Sequence, residues 1–117
     1  MGIALEICLD SHDGVAAAAF WAAALNYRVK GAAAQYHVLV DPDGVGPRVI
    51  IQQVAEPKQG KNRVHFDLYT PDMDEEADRV EALGARRIER FEELGAAWIL
   101  FHDPEGNEFC VCRAHPD

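Results

Sequence analysis

An internal repeat constrains the fold of this chain more than any other feature of its sequence. An alternating apolar and polar segment at Leu5–Asp10 returns at Val64–Tyr69, and alternation of this kind is typical of a strand with one buried face. Each segment is followed by an aspartate that can cap a helix, Asp13 in the first case and Asp72 in the second. Both pairs are offset by 59 positions, which indicates a tandem duplication.

Each half contains one helix candidate after its first strand. The candidates are Ala16–Leu25 and Met73–Leu83, and both end on an alanine followed by a leucine. The next residues are Asn26 and Gly84, which suit the left-handed conformation that commonly closes a helix. The duplication therefore predicts a strand followed by a helix in each half.

Three short strand candidates follow each helix, so each half reads as a βαβββ unit. Turn residues separate the strands, and the segments Asp41–Gly44 and Asp103–Gly106 both place proline second and glycine fourth, as a β-turn favours. The predicted strands are Tyr27–Lys30, Gln35–Val40 and Arg48–Val54 in the first half, and Arg86–Arg90, Ala97–Phe101 and Glu108–Val111 in the second.

A polar segment rich in helix- and strand-breaking residues, 56–62, joins the halves. Neither half alone is expected to bury enough surface, so we predict a single domain over 1–117. Its first module covers about 1–55 and its second about 63–113. The predicted fold class is α+β, with two βαβββ modules forming a curled mixed sheet around a cavity and the helices on the outer face.

The charge of the chain excludes some classes of partner. Twenty acidic and 11 basic residues give a formal net charge of −9, which repels nucleic acid and anionic membrane surfaces. The longest apolar run, Val15–Leu25, is too short to cross a bilayer, which takes about 20 residues. We therefore expect a small-molecule partner, with no nucleic acid and no membrane.

The cysteine content and the N-terminal residues favour a cytoplasmic location. The chain has three cysteines, Cys8, Cys110 and Cys112, and an odd count is not typical of a disulfide framework. The residues Met1–Glu6 lack the basic region that begins a secretory signal. Reduced thiols in the cytoplasm are the expectation.

Strand parity predicts which side chains line the cavity. If Ile7 and Phe66 pack under the helices, Glu6 and the alternate residues of the second segment turn to the opposite face. The repeat offset gives Gln52 the same parity as Cys110, whereas Trp98 can lie on either face of its strand. The predicted cavity residues are Glu6, Gln52, His65, Asp67, Tyr69, Trp98 and Cys110.

Four sequence segments resemble the vicinal oxygen chelate superfamily, which includes glyoxalases, bleomycin-resistance proteins and extradiol dioxygenases. They are Phe20–Trp21, Ala24–Tyr27, His65–Asp67 and Asp103–Cys110, and the similarity is greatest to the glyoxalase-like branch. The resemblance, together with the exposed edges of an open sheet, implies a homodimer.

The resemblance also implies a position for a metal site. In metal-dependent members the ligands come from the first and last strands of each module, which correspond here to Glu6, His65 and Cys110, with Gln52 as a further position. Cys110 stands where the family usually has a carboxylate. A thiol beside an imidazole favours zinc, iron or nickel over magnesium.

Two functions follow from this donor set. The first is a small-molecule-binding protein whose cavity lacks a complete metal site. The alternative is a lyase, isomerase or dioxygenase that uses a divalent metal to act on vicinal oxygens of a small substrate. Asp67 has two interpretations as well: a general base, or a residue that hydrogen-bonds a neighbouring side chain.

Overall fold

The computed structural model describes residues 2–114, which divide into two compact units. The first unit ends at Lys58 and the second begins at Gln59. The first contains β1 (Glu6–Ser11), α1 (Gly14–Leu25), β2 (Arg28–Ala33), β3 (Tyr36–Val40) and β4 (Arg48–Gln53). The second contains β5 (Phe66–Thr70), α2 (Met73–Ala82), β6 (Arg86–Glu93), β7 (Ala96–His102) and β8 (Glu108–Arg113).

Each unit has one mixed four-stranded sheet with the same topology. The strand order is β1-β4-β3-β2 in the first sheet and β5-β8-β7-β6 in the second. The first strand of each unit pairs in parallel with the last, and the other neighbours are antiparallel. The predicted α+β fold with two βαβββ units is confirmed.

The helix ends follow the capping chemistry that the sequence predicts. Asp13 accepts a hydrogen bond from the backbone N–H of Ala16 at 3.2 Å, and Asp72 accepts one from Glu75 at 3.0 Å. Asn26 adopts a left-handed conformation with φ of 57°, and Gly84 has φ of 117°. The hydrogen bonds to Asp13 and Asp72 satisfy N–H groups that the first turn of a helix leaves unpaired.

One face of each sheet packs against its own helix and forms the core. In the first unit Trp21 of α1 is 1% exposed, and Leu39 of β3 and Ile51 of β4 are fully buried. In the second unit Phe101 and Phe109 are fully buried and their rings stack at 5.5 Å. The opposite face of each sheet therefore carries the polar alternation of its strands.

A glutamine at the end of β4 fastens the start of α1 to the sheet. The side-chain oxygen of Gln53 accepts a hydrogen bond from the N–H of Gly14 at 2.6 Å, and its amide nitrogen donates to the carbonyl of His12 at 2.6 Å. An added Cβ at Gly14 would lie 3.0 Å from that oxygen, so a larger residue here would have to displace the Gln53 side chain by a few tenths of an ångström.

The hairpin between β6 and β7 is longer than the sequence predicts. Glu92 and Glu93 lie beyond the predicted end of this strand at Arg90, yet they are paired with Ala97 and Ala96 as the end of β6. The predicted strand end at Arg90 was wrong because Leu94 and Gly95, with φ of 51° and 83°, close the hairpin in only two residues. Two consecutive residues of positive φ match the twist of the flanking strands, so the pairing continues to the turn.

The two helices are short, and none within 2–114 is both long and apolar enough to cross a membrane.

Candidate functional site

The second unit contains a cavity of about 420 Å³ on the sheet face that points away from α2. Binding sites for small molecules commonly have volumes of about 300–1,000 Å³. The cavity is lined by residues of β5, β7 and β8 and by residues at the ends of these strands. Its volume is therefore sufficient for a small organic ligand.

Five of the seven cavity residues proposed from sequence line this space. They are His65, Asp67, Tyr69, Trp98 and Cys110. Glu6 and Gln52 lie in the first unit, where Glu6 is 3.7 Å from Arg48 and the Gln52 side-chain oxygen is 3.5 Å from the Cys8 sulfur. That Glu6 and Gln52 join the other five stays a prediction.

Four lining residues were absent from the sequence-based set: Ala96, Ala97, Cys112 and Arg113. Cys112 has the same strand parity as Cys110, so the argument that selected Cys110 also applies to it. The two alanines and Arg113 reach the cavity at the ends of β7 and β8, where parity in the sequence is a weaker guide. Arg113 donates a hydrogen bond to the carbonyl of Gly95 at 2.6 Å, which holds its guanidinium at the β6–β7 hairpin.

A polar cluster of three side chains lies at one end of the cavity. Asp67 and Cys110 are cross-strand partners on β5 and β8, and His65 precedes β5 by one residue. The His65 Nε2 atom is 3.1 Å from Asp67 Oδ1. One ligand-type atom from each residue lies within 4.8 Å of the others, a spacing that a metal ion can bridge.

The local environment keeps both cavity thiols protonated at neutral pH. Burial raises the pKa of Cys110 to about 11, and the charge of Asp67 and a hydrogen bond to it act in the same direction. Burial also raises the pKa of Cys112 to about 12, again with a contribution from Asp67. The Cys110 thiol therefore keeps the proton that it can donate to the Asp67 carboxylate.

The first unit has a smaller cavity of about 380 Å³ with different chemistry. Its lining includes the cations Lys30 and Arg48 and the aromatic ring of Tyr36. None of the seven cavity residues predicted from sequence lines it. The duplication has therefore produced two sheet faces with unlike side chains.

Comparisons with known proteins agree with the topology. A family model described as "Glyoxalase-like domain" matches residues 6–112. No curated protein matches the chain in sequence.

Several solved structures share the fold at low sequence identity. The fosfomycin resistance protein FosX from Listeria monocytogenes is 17% identical, with a TM-score of 0.80 over 98% of this chain and 95% of that one. A mutant of the same protein, complexed with Mn(II) and 1S,2S-dihydroxypropylphosphonic acid, is 18% identical with a TM-score of 0.80, over 98% of this chain and 93% of that one. A glyoxalase/bleomycin resistance protein/dioxygenase family enzyme from Burkholderia phytofirmans PsJN is 15% identical, with a TM-score of 0.79 over 94% and 97% of the two chains. At these identities the likeness shows the fold alone.

Proposed function

The chain belongs to the glyoxalase-like domain family, within the vicinal oxygen chelate superfamily that its motifs resemble, and on that premise we propose that it is a small-molecule-binding protein. The site is the cavity of the second unit. The observation that carries this proposal is the combination of a hydrogen-bonded polar cluster with aromatic and apolar walls in one cavity. Such a combination fixes a ligand's orientation at one end and buries its apolar surface at the other.

Asp67 is the centre of the polar end. Its carboxylate lies across from the Cys110 thiol and within hydrogen-bond distance of His65, yet an ionised carboxylate offers about four acceptor positions. Capacity for a donor on the ligand therefore remains. Asp67 is 42% exposed in its side chain, so that donor can reach it from the cavity.

The same cluster offers the donor atoms for a metal ion. His65, Asp67 and Cys110 offer nitrogen, oxygen and sulfur donors, a mixture that suits zinc better than the oxygen-preferring Mn(II) or Mg(II). Cys110 is an effective ligand only as a thiolate, and its raised pKa opposes that form. The residues can thus hold a zinc-type ion, but only at the cost of removing a proton from a buried thiol.

A metal-dependent lyase, isomerase or dioxygenase is the second candidate, favoured by the proximity of these three donor atoms. A metal held by His65, Asp67 and Cys110 would polarise an oxygen of the substrate as a Lewis acid. We expect the binding function instead, because a metal would have to remove a proton from the Cys110 thiol, whose pKa is raised to about 11.

Metal content separates the two candidates. The protein is purified without chelators and analysed by plasma mass spectrometry, next to the His65→Ala variant and a control variant, His12→Ala, whose histidine lies in the first unit. We expect substantially less than one zinc, iron or nickel ion per chain in all three proteins. Near-stoichiometric metal that His65→Ala abolishes and His12→Ala retains would replace the binding proposal with the metalloenzyme.

Ligand binding is tested directly by a small-fragment screen that observes backbone amide resonances by NMR. We expect fragments with N–H donors to shift the amides of Asp67 and Cys110, and the Asp67→Asn variant to weaken the response. Asp10→Asn is the matched control, since Asp10 occupies the corresponding strand in the first unit. Equal responses in the two variants would place binding elsewhere.

We further propose a homodimer and a cytoplasmic location. Three free cysteines support a reducing compartment, and each sheet has edge strands that a second copy can pair with or cover. Light scattering at tens of micromolar is expected to give twice the chain mass of 12.9 kDa. A monomer mass would contradict the dimer.

A further inference from the structure

We infer that the cavity holds a planar heteroaromatic ring with N–H donors, inserted between Tyr69 and Trp98 above the Cys112 thiol. This inference rests on the proposed function and specifies the class of ligand. It follows from the register of the second sheet, from the stacking of Trp98 and from the charge around the cavity.

Four side chains form one row across the sheet. Tyr69 on β5 is opposite Cys112 on β8, Cys112 is opposite Trp98 on β7, and Trp98 is opposite Phe91 on β6. Tyr69, Cys112 and Trp98 all line the cavity. The row therefore has aromatic side chains on both sides of one small residue.

The space above Cys112, between Tyr69 and Trp98, forms a gap whose width suits one aromatic ring. Neighbouring strands lie about 4.8 Å apart, so Tyr69 and Trp98, separated by one strand, are about 9–10 Å apart at the backbone. A ring that contacts two flanking rings needs about 3.5–4.0 Å on each side, or about 7–8 Å in all. A small inward lean of the side chains closes the remaining distance.

Trp98 is held in the orientation that the gap requires. Its ring stacks on Phe91 with centroids 5.4 Å apart and planes 15° from parallel. Because β6 and β8 lie on opposite sides of β7, the ring face that Phe91 leaves uncovered points towards Cys112 and Tyr69. This contact positions the indole before any ligand arrives, which lowers the entropy lost on binding.

The charge around the gap favours N–H donors on the ligand. Asp67 lies two residues before Tyr69 on the same face of β5 and can accept from a ring nitrogen or an amino group. Asp67 is the acidic residue of the lining, and both thiols are neutral at pH 7 because their pKa values are raised to about 11 and about 12. Arg113 is the positively charged arginine of the lining, and a hydrogen bond to the carbonyl of Gly95 holds its guanidinium at the β6–β7 hairpin.

The first unit lacks this arrangement, although its sheet has the same topology. There the corresponding row places Asp10 on β1, Gln52 on β4 and Tyr36 on β3. Tyr36 thus has no aromatic counterpart across the row. The gap between two aromatic side chains is therefore a feature of the second unit, and Tyr36 of the first unit serves as a matched control.

Three probes test the inference with the full chain. Proflavine is planar and carries N–H donors, anthracene-9-carboxylate is planar without them, and cyclohexylmethylamine has donors but no planar ring. We expect proflavine to bind with the highest affinity, measured by fluorescence polarisation. It should also quench the emission of Trp98, since the other tryptophan, Trp21, is 1% exposed.

Variants locate the binding. Tyr69→Ala and Trp98→Ala should each weaken proflavine binding about tenfold, as loss of one stacking contact does, and Tyr36→Ala should leave it within twofold. Cys112→Met keeps both aromatic rings but fills the gap, and it should weaken binding at least as much. If Trp98→Ala fails to fold, Tyr69→Ala and Cys112→Met give the answer without it.

The outcomes distinguish a failure of the ring-binding inference from a failure of the proposed function. Proflavine affinities in Tyr69→Ala and Cys112→Met within twofold of that in Tyr36→Ala would overturn the inference that a ring inserts between Tyr69 and Trp98. If cyclohexylmethylamine then still shifts the amides of Asp67 and Cys110, the cavity binds small molecules in another way and the proposed function stands. If none of the three probes shifts those amides, both proposals fail.

Discussion

Asp67 and Cys110 lie opposite each other on β5 and β8, where burial and the carboxylate of Asp67 raise the pKa of the Cys110 thiol. This pair links the charge of the cavity to the protonation of a buried sulfur. While the thiol keeps its proton, it stabilises the Asp67 carboxylate as an acceptor for ligands. The contact therefore connects the stability of the second unit to pH and to the chemistry of its site.

The first prediction concerns stability at alkaline pH. The pKa values of Cys110 and Cys112 are raised to about 11 and about 12 in the folded chain from a value of 9.0. Folding then favours the protonated thiols, so their contribution is complete below pH 9 and is lost as pH rises from 9 through the folded values. We expect the free energy of unfolding to fall over that range, by about 2–3 kcal/mol for each thiol by pH 11.

The control for this prediction is the variant that replaces both thiols, Cys110→Ser with Cys112→Ser, whose hydroxyls do not titrate. Urea unfolding of the two proteins between pH 7 and 11 isolates the thiol contribution from that of lysines and tyrosines. The variant should lose less stability across this range than the original chain. Parallel pH curves would contradict the raised pKa values.

The second prediction is that the three thiols differ in reactivity. Cys8 is exposed, whereas Cys110 and Cys112 are 7% and 6% exposed and are held protonated. Because the thiolate is the nucleophile, we expect Ellman's reagent at pH 8 to modify one thiol quickly and two only after unfolding. Cys8→Ser should remove the fast phase; a fast phase that persists in this variant would mean that the cavity thiols are accessible.

The third prediction concerns the glutamine that fastens α1. Gln53→Ala removes both hydrogen bonds to the helix start and should lower the free energy of unfolding by about 1–3 kcal/mol. Gln52→Ala is the matched control, since it loses only the long contact with Cys8 and should cost less than about 0.5 kcal/mol. Equal losses in chemical denaturation would show that the Gln53 contacts contribute little.

The fourth prediction compares the two aspartates that begin the repeated turns. Asp103 is 5% exposed and accepts from the backbone of Glu105 and from both the backbone and side chain of Asn107. Asp41 accepts from three backbone N–H groups in a more solvated loop. Asp103→Ala should therefore cost about 3 kcal/mol and Asp41→Ala about 1 kcal/mol, because only the former leaves buried donors unpaired.

The measurement is the melting temperature together with urea denaturation of both variants. Asp103→Asn retains one carbonyl acceptor and should recover part of the loss. A larger loss of stability in Asp41→Ala than in Asp103→Ala would contradict this prediction, because it would mean that solvent does not replace the hydrogen bonds of Asp41.

The sequence determined the scaffold well because caps, turns and alternation are local signals. Asp13, Asp72 and the turn at Asp103 each act on residues within four positions along the chain. The end of β6 was missed because it depends on a positive φ at Leu94, a residue with no intrinsic preference for that conformation.

The site was less accessible to sequence reasoning because its geometry is non-local. Parity selected His65, Asp67 and Cys110, which are neighbours in the structure. It could not choose a face for Trp98, since both faces of β7 carry apolar residues and only the stacking with Phe91 fixes the indole. The predicted convergence of Glu6 with this cluster depends on the relation between the halves, which parity within one strand does not describe.

The repeated rows of the two sheets also bear on how this protein can be redesigned. Caps and turns recur in both halves, whereas the rows of cross-strand side chains on the sheet faces differ. The row of the first sheet contains Asp10, Gln52 and Tyr36, and that of the second contains Tyr69, Cys112 and Trp98. The positions that specify folding and the positions that face a ligand are thus largely separate sets. A combinatorial library that randomises one face row samples new recognition chemistry while the other half supplies an unaltered internal reference for the same scaffold.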